Sequence, residues 1–372
     1  MAIPIEVVPY NPAWPQFFAV EHERLLQTLG WYRQGGVVFG IEHIGSTSVP
    51  GLAAKPCIDI AIAVVPFPLN KTLVMAIEAL EYQYRGENGI AGRQYFQRGP
   101  HDFHLHVFEA GDWRFDNHVV FRNYLRANDG ALHRYQSHKQ NLAAQHRDNR
   151  EAYIDGKAPL ITQLLQEAHT WHVEKTGWKP VELVAKELES LTVPWWVSSG
   201  WALDLHIGQP QRLHQDFDVV IWREDQQAVL GHLEKQSWEL NVPINGKYHG
   251  WVKGEYFQLS QTTQVHCYQE GTPFDFLDIL FSERQGNQWV WRRDQRIRML
   301  TEQIGLNSQS GIPYLNPAIV LLFKSKFQGK EPRAKDQQDI ERTLPYLSQE
   351  QKGWMRDALA TWAPEHPWQS LM

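Results

Sequence analysis

Cysteine is scarce in this chain: its 372 residues include two, Cys57 and Cys267. That excludes a disulfide framework and finger-type metal sites, which need paired, closely spaced cysteines. An excess of basic charge is missing as well, with 36 Lys and Arg against 42 Asp and Glu and a net charge of −6. A protein that grips a long nucleic-acid duplex by neutralising its phosphates is therefore not expected. Long apolar runs are absent, since no stretch reaches about 18 uncharged apolar residues. The opening Met1-Ala2-Ile3-Pro4-Ile5 lacks the basic and apolar regions of a secretory signal, so a cytoplasmic chain without a membrane partner is expected. No period of roughly 20–50 residues recurs, which excludes solenoids and propellers.

What is present is ordinary globular composition, 42% hydrophobic and 21% charged, over a length that predicts two or three domains. Eleven of the 17 histidines precede Lys175 and 12 of the 16 tryptophans follow it, a shift that suggests two sequences of separate origin. Gly177 and Pro180 follow a helical pattern and read as a helix stop and a short linker. The expected domains are 1–172 and 173–372.

In the first, periodicity predicts a helix over 14–29, with Phe17, Phe18, Glu21, Leu25 and Leu29 on one largely apolar face. Strands are expected at 37–44, 58–65 and 103–108, and helices from 116 to about 169. In the second, helices are predicted at 181–191 and 202–207, strands at 195–198, 217–222 and 274–281, and helices at 318–326, 336–344 and from 351.

The most informative segment is Ser198-Ser199-Gly200-Trp201-Ala202-Leu203-Asp204, followed by Asp216-Phe217-Asp218. Alternate strand residues share a face, so Asp216 and Asp218 point the same way. Two adjacent carboxylates repel and raise one another's pKa, and a dication with a taste for oxygen, Mg²⁺ or Mn²⁺, resolves the conflict. Ser199 and Gly200, between a strand and a helix, offer backbone N–H groups as a phosphate seat. Trp195, Trp196 and Trp201 read as core.

This combination resembles the DNA polymerase beta-like nucleotidyltransferases. With Gly208, Arg212 and His214 it resembles, more narrowly, the adenylyltransferases that modify aminoglycosides and lincosamides. Those families commonly carry two glycines before the Trp-Ala; here the first is Ser199. The pattern's later carboxylate is best placed at Asp278, with Asp275 as the rival, and spacing leaves both open. Arg212 reads either as a nucleotide contact or as a surface-loop residue. The resemblance continues through 315–324 and 333–339, which makes Lys324 and Lys335 candidate ligand contacts. Lys335 and Asp339, four apart on a helix, read equally as a local ion pair.

The first half has a constellation of its own. Gly45-Ser46-Thr47-Ser48 follows a strand and ends at Pro50-Gly51, a loop whose donors suit an anion such as a triphosphate, with Lys55 to add positive charge. Asp59 lies on the next strand, and His104 and His106 share a face of another; one carboxylate and two imidazoles suit a divalent metal. Cys57 and Ala61 occupy the positions flanking Asp59 on its face, so this half has one carboxylate where the second has two. From about 7 to 168, including Pro9-Tyr10-Asn11-Pro12, 42–51, Lys55-Pro56, Ile58-Asp59-Ile60, His104-Leu105-His106, Tyr135, Lys139, Tyr153 and Lys157, the chain resembles the GrpB family, itself related to the nucleotidyltransferase fold. Asn123 departs from the Asp usual there.

The resemblances imply an α/β (α+β) protein of two tandem nucleotidyltransferase-like domains, each a small mixed sheet flanked by helices with a C-terminal helical part. They imply a Mg²⁺- or Mn²⁺-dependent transfer of AMP from ATP, or of another nucleotide from its triphosphate, to a small-molecule acceptor. Asp216, Asp218 and Asp278 carry that reaction in this reading. A nucleotide- or ligand-sensing protein, or a transferase acting on protein or RNA, is the alternative. The oligomeric state is not legible.

Overall fold

The computed structural model describes residues 5–33, 38–64, 67–99, 102–214, 216–245, 247–269, 271–274, 276–325 and 334–372. It divides into two compact units, Met1–Lys175 and Thr176–Met372. Among the described residues no helix is long and apolar enough to cross a membrane.

Unit 1 opens with α1 (Trp14–Arg33), followed by β1 (Val38–Ile44), a 3₁₀ turn at Ser46–Ser48, β2 (Ile58–Val64), α2 (Lys71–Glu78), β3 (Gln83–Tyr84), β4 (Gln94–Arg98) and β5 (Phe103–Glu109). Three helices complete it: α3 (Trp113–Ala127), α4 (Asp129–Gln145) and α5 (Arg150–Thr176). The sheet order is β1-β2-β5-β4-β3, with β2 and β5 parallel and the other pairs antiparallel. Positions 37 and 65, expected at strand ends, lie outside the described residues. Strand β2 is central, which is why it is apolar on both faces. Ile58, Ile60 and Ile62 pack with Leu25 and Leu29 of α1 and with Leu73 and Ile77 of α2. Ala61 and Ala63 face Phe108 and Phe115 on the other side, and Asp59 shares that second face. The α1 pattern is less simple than its periodicity implied, because Phe17 is exposed and Glu21 is buried. Arg98 grips Glu21 at 2.6 Å and the Tyr82 hydroxyl donates to it at 3.0 Å, satisfying a charge that burial would otherwise penalise.

Unit 2 repeats the order. It contains α6 (Lys179–Leu188), β6 (Trp195–Val197), α7 (Ser199–Ile207), β7 (Phe217–Trp222), α8 (Gln226–Lys235), β8 (Glu239–Ile244), β9 (Lys247–Gly250), β10 (Gln264–Tyr268) and β11 (Leu277–Gln285). Short strands β12 (Gln288–Val290), β13 (Arg298–Leu300), β14 (Gly305–Asn307) and β15 (Pro313–Leu315) precede α9 (Pro317–Lys324), α10 (Ala334–Thr343) and α11 (Gln349–Trp362). The main sheet runs β14-β15-β6-β7-β11-β10-β8-β9. Within it, β6-β7-β11-β10-β8 has the chain order and strand directions of β1-β2-β5-β4-β3: antiparallel, parallel, antiparallel, antiparallel. The same core topology therefore occurs twice in this chain. Between the units, α5 runs to Thr176, Gly177 takes φ +53°, and α6 begins at Lys179 with Pro180 in its first turn, where a missing N–H costs nothing.

The expected strand at 274–281 begins three residues later, at Leu277, and the stretch 223–273 holds a helix and three strands that periodicity did not announce. Gln226, fully buried at the start of α8, explains part of that silence. Its amide donates to the carbonyls of Arg223 and Phe257 and accepts from the Phe257 N–H, so a polar residue occupies a core position.

Candidate active site

In unit 2 the parallel pairing of β7 with β11 sets Asp218 directly opposite Asp278. Both line a cavity of about 210 Å³ with Ser198, Ser199, Gln264, Arg292, Arg293 and Lys324. Asp216 precedes β7 by one residue and acts electrostatically on both carboxyls. Burial and then Asp216 push the Asp218 carboxyl up to about 7, against the pull of Lys324 and of a hydrogen bond from Ser199. Burial, Asp218 and Asp216 hold Asp278 well above the usual carboxylate range. Asp275, the rival, lies outside the described residues.

The donor set fits a hard dication. Asp278 Oδ1 is buried and accepts no hydrogen bond, and its neighbour His266 Nε2, 3.5 Å away, is engaged elsewhere. The amide nitrogen of Gln264 lies 2.5 Å from His266 Nε2 and the Tyr248 hydroxyl 3.0 Å from Nδ1. With Gln264 donating, Nε2 is an acceptor and Nδ1 carries the proton. Burial holds this imidazole down to about 4, hence neutral. An acidic cluster with a buried, unsatisfied carboxylate oxygen fits Mg²⁺ or Mn²⁺.

The strand-to-helix turn beside it is built tightly. Ser199 takes φ +51°, a left-handed backbone that suits glycine and costs a residue with a Cβ about 1–2 kcal/mol. Its hydroxyl bond to Asp218 offsets that strain. Gly200 is glycine for a packing reason: a Cβ there would lie 2.3 Å from His214 Cε1 and 2.7 Å from an Arg212 nitrogen.

Several expected ligand contacts are occupied within the protein. Arg212 forks onto Asp339 at 3.1 and 3.2 Å and does not line the cavity. Lys324 does line it, but its Nζ lies 2.8 Å from Asp339 Oδ2. Arg342 joins Asp339 at 2.9 Å and also pairs with Asp204, whose Oδ2 meets His214 Nε2 at 2.7 Å. Burial raises and these cations more than reverse the Asp339 pKa, leaving it well below the usual range. Asp339 therefore gathers three cations rather than pairing with Lys335 alone. Lys335 is exposed and close enough to pull down the Asp218 pKa. Nothing in the sequence marked Arg292 and Arg293; the signal available was paired arginines after Trp291, the start of a cationic cavity wall.

In unit 1 the corresponding strands set Asp59 opposite His104. Asp59 Oδ1 lies 3.2 Å from His104 Nδ1 and 3.4 Å from His106 Nε2. Burial raises the Asp59 pKa, but these two contacts outweigh it and leave the carboxyl well below its ordinary value. Arg93 donates to His106 Nδ1 at 3.1 Å, so the His106 proton sits on Nε2 and points at Asp59. Both ring nitrogens of His106 are thus used within the protein. Cys57 Sγ lies 3.3 Å from His104 Nδ1. The carboxylate also explains Gly45, at φ +70°, where a Cβ would sit 2.5 Å from Asp59 Oδ2.

The hydroxyl loop wraps itself more than a ligand. Thr47 donates to the Cys57 carbonyl at 3.0 Å and Ser48 to the Gly45 carbonyl at 2.6 Å, so Ser46 alone of the three lines the adjacent cavity of about 370 Å³ with Gly45, Asp59, His118, Tyr135 and Lys157. Lys55 stands over the Tyr153 ring, 4.7 Å from its centroid, instead of on that wall. Lys139 reaches Ser46 Oγ at 2.9 Å, and burial brings its ammonium down to about 7. Burial also lowers Lys157, to about 8.

A mixed α/β chain carrying this core twice, with acidic or acidic-histidine residues across the central parallel pair, has a nucleotidyltransferase-like fold. Residues 181–245 match the family model described as aminoglycoside-2''-adenylyltransferase, and residues 4–167 match that described as GrpB protein. The chain belongs to the GrpB family. It is 30% identical over 170 residues to the glutamate-rich protein GrpB of Alkalihalophilus pseudofirmus, covering 43% of this chain and 94% of that protein. It is 39% identical over 169 residues to the UPF0157 protein YqkA of Bacillus subtilis, covering 45% of this chain. There the match spans about half, 48%, of the relative's length. Among solved structures, the lincosamide antibiotic adenylyltransferase LnuA with lincomycin bound aligns with a TM-score of 0.34 at 20% identity, over 45% of this chain and 97% of that one.

Proposed function

We propose that unit 2 is a Mg²⁺- or Mn²⁺-dependent nucleotidyltransferase that moves AMP from ATP, or the corresponding group of another nucleoside triphosphate, to a hydroxyl of an aminoglycoside- or lincosamide-like molecule. The carrying observation is Asp218 opposite Asp278 at one cavity, both carboxyls raised and one oxygen unsatisfied. The match of 181–245 supports the reaction class and the acceptor.

Asp216 and Asp218 would hold the metal, which when bound neutralises phosphate charge as it builds in the transition state. The N–H groups at the start of α7, with Ser199, would seat a phosphate, while Arg292, Arg293 and Lys324 face the rest of the triphosphate. The acceptor hydroxyl oxygen bonds to the α-phosphorus and its proton passes to Asp278. The bond from the α-phosphorus to the bridging oxygen breaks, and pyrophosphate leaves with that electron pair. Alignment and electrostatics supply most of the acceleration, without a covalent enzyme intermediate. The GrpB unit serves as an accessory domain in this proposal, with Gly45 and Ser46 as its nucleotide-facing residues.

The test is incubation with α-labelled nucleotides, Mg²⁺ and pooled aminoglycosides and lincosamides. Label on an acceptor with matching pyrophosphate release is expected, and Asp216→Ala/Asp218→Ala should abolish both. Absence of transfer, or transfer equal in the double variant, refutes the proposal.

A further inference from the structure

The doubled topology allows the units to be compared position by position. Asp59 is the second residue of β2 as Asp218 is of β7, and His104 is the second residue of β5 as Asp278 is of β11. Cys57 and Asp216 each stand one residue before the strand that carries the central aspartate. The three carboxylates of unit 2 are thus replaced in unit 1 by a thiol, a carboxylate and an imidazole. Their ligand atoms, one from each residue, all lie within 4.8 Å of one another.

We propose that unit 1 binds one thiophilic transition-metal ion, of the Zn²⁺ type, through Cys57, Asp59 and His104. The site is distinct from the Mg²⁺ site proposed in unit 2 and independent of its activity. Sulfur, nitrogen and one oxygen are the ligand set of Zn²⁺, whereas Mg²⁺ demands oxygen and near-octahedral order. Three protein ligands with a fourth position open is the arrangement of reactive zinc sites.

The surroundings suit it. His104 Nδ1 faces both Cys57 Sγ and Asp59 Oδ1, at 3.3 and 3.2 Å, and a metal in place of the shared proton engages all three atoms. His106, fixed by Arg93, donates to the ligand carboxylate, and Gly45 packs against its other oxygen. These are the outer contacts that orient a metal ligand.

The test uses the full chain, stripped with a chelator and titrated with Co²⁺. One equivalent should produce the near-ultraviolet sulfur-to-cobalt charge-transfer band. Zn²⁺ should displace it and a large excess of Mg²⁺ should not. The band should vanish in Cys57→Ser and persist in Cys267→Ser and in Asp218→Asn. Cys57→Ser and His104→Gln should each weaken Zn²⁺ binding roughly tenfold or more. Cys57→Asp, which rebuilds the pattern of unit 2, should shift preference toward Mn²⁺. A wild-type chain with no charge-transfer band, a band that survives Cys57→Ser, or displacement by Mg²⁺ overturns the proposal.

Discussion

Asp218→Asn should stabilise the metal-free protein at neutral pH while destroying its proposed activity. The native Asp218 carboxyl is raised from 3.8 to about 7, so the folded state holds a proton that the unfolded chain releases. Stability is then greatest below pH 3.8 and is lost as pH rises through about 7, levelling above. At about 1.4 kcal/mol for each pKa step the full loss is about 4 kcal/mol, which partial exposure of the carboxyl reduces to roughly 2–4 kcal/mol. Asparagine keeps a hydrogen-bonding partner for Ser199 and removes the titration. Denaturant unfolding in chelator, followed by tryptophan fluorescence, is well suited because 12 of the 16 tryptophans follow Lys175. The stability gap between variant and wild type should be small near pH 4 and grow to its full size by about pH 7. Added Mg²⁺ should then stabilise the wild type alone. A gap that is constant with pH, or a variant less stable at pH 8, refutes the electrostatic account.

Gly200→Ala should cost about 1–3 kcal/mol, because its Cβ would meet His214 at 2.3 Å; a thermal melt monitored by fluorescence measures this. Asp339→Asn leaves Lys324, Arg212 and Arg342 without their shared counter-charge and should destabilise unit 2 by roughly 3–5 kcal/mol, a larger loss than for Lys335→Ala under the same denaturant titration. Gly45→Ala, which adds a clash 2.5 Å from Asp59 Oδ2 at a left-handed backbone position, should lower stability by about 1–3 kcal/mol and weaken Co²⁺ binding by the stripped chain.

The strands that carry the chemistry were legible because each is a short β-branched run interrupted by a conspicuous polar residue. Asp216-Phe217-Asp218 and Ile58-Asp59-Ile60 are visible as soon as period two is applied. Asp278 was visible as a candidate beside Asp275, because both flank apolar residues at similar spacing. Cys57 looked like a gap in an acidic pattern, since one-dimensional spacing cannot show that its sulfur meets an imidazole 47 residues away. Arg212 and Thr47 illustrate the opposite problem. Their side chains advertise anion binding, and the fold has consumed them in Asp339 and in the Cys57 carbonyl.

By itself the sequence determined the two-part organisation, the mixed α/β class, the central aspartates and the likeness of the first half to the GrpB family and of the second to the aminoglycoside adenylyltransferases. Those depend on local alternation, turn chemistry and residue type, all short-range properties of the chain. Only the tertiary structure decided that both halves share one strand order, that Asp218 faces Asp278 while Asp59 faces His104, and which cations remain at each cavity. Register across a parallel pair is set by packing of both sheet faces and by a crossover tens of residues long, so no local pattern encodes it.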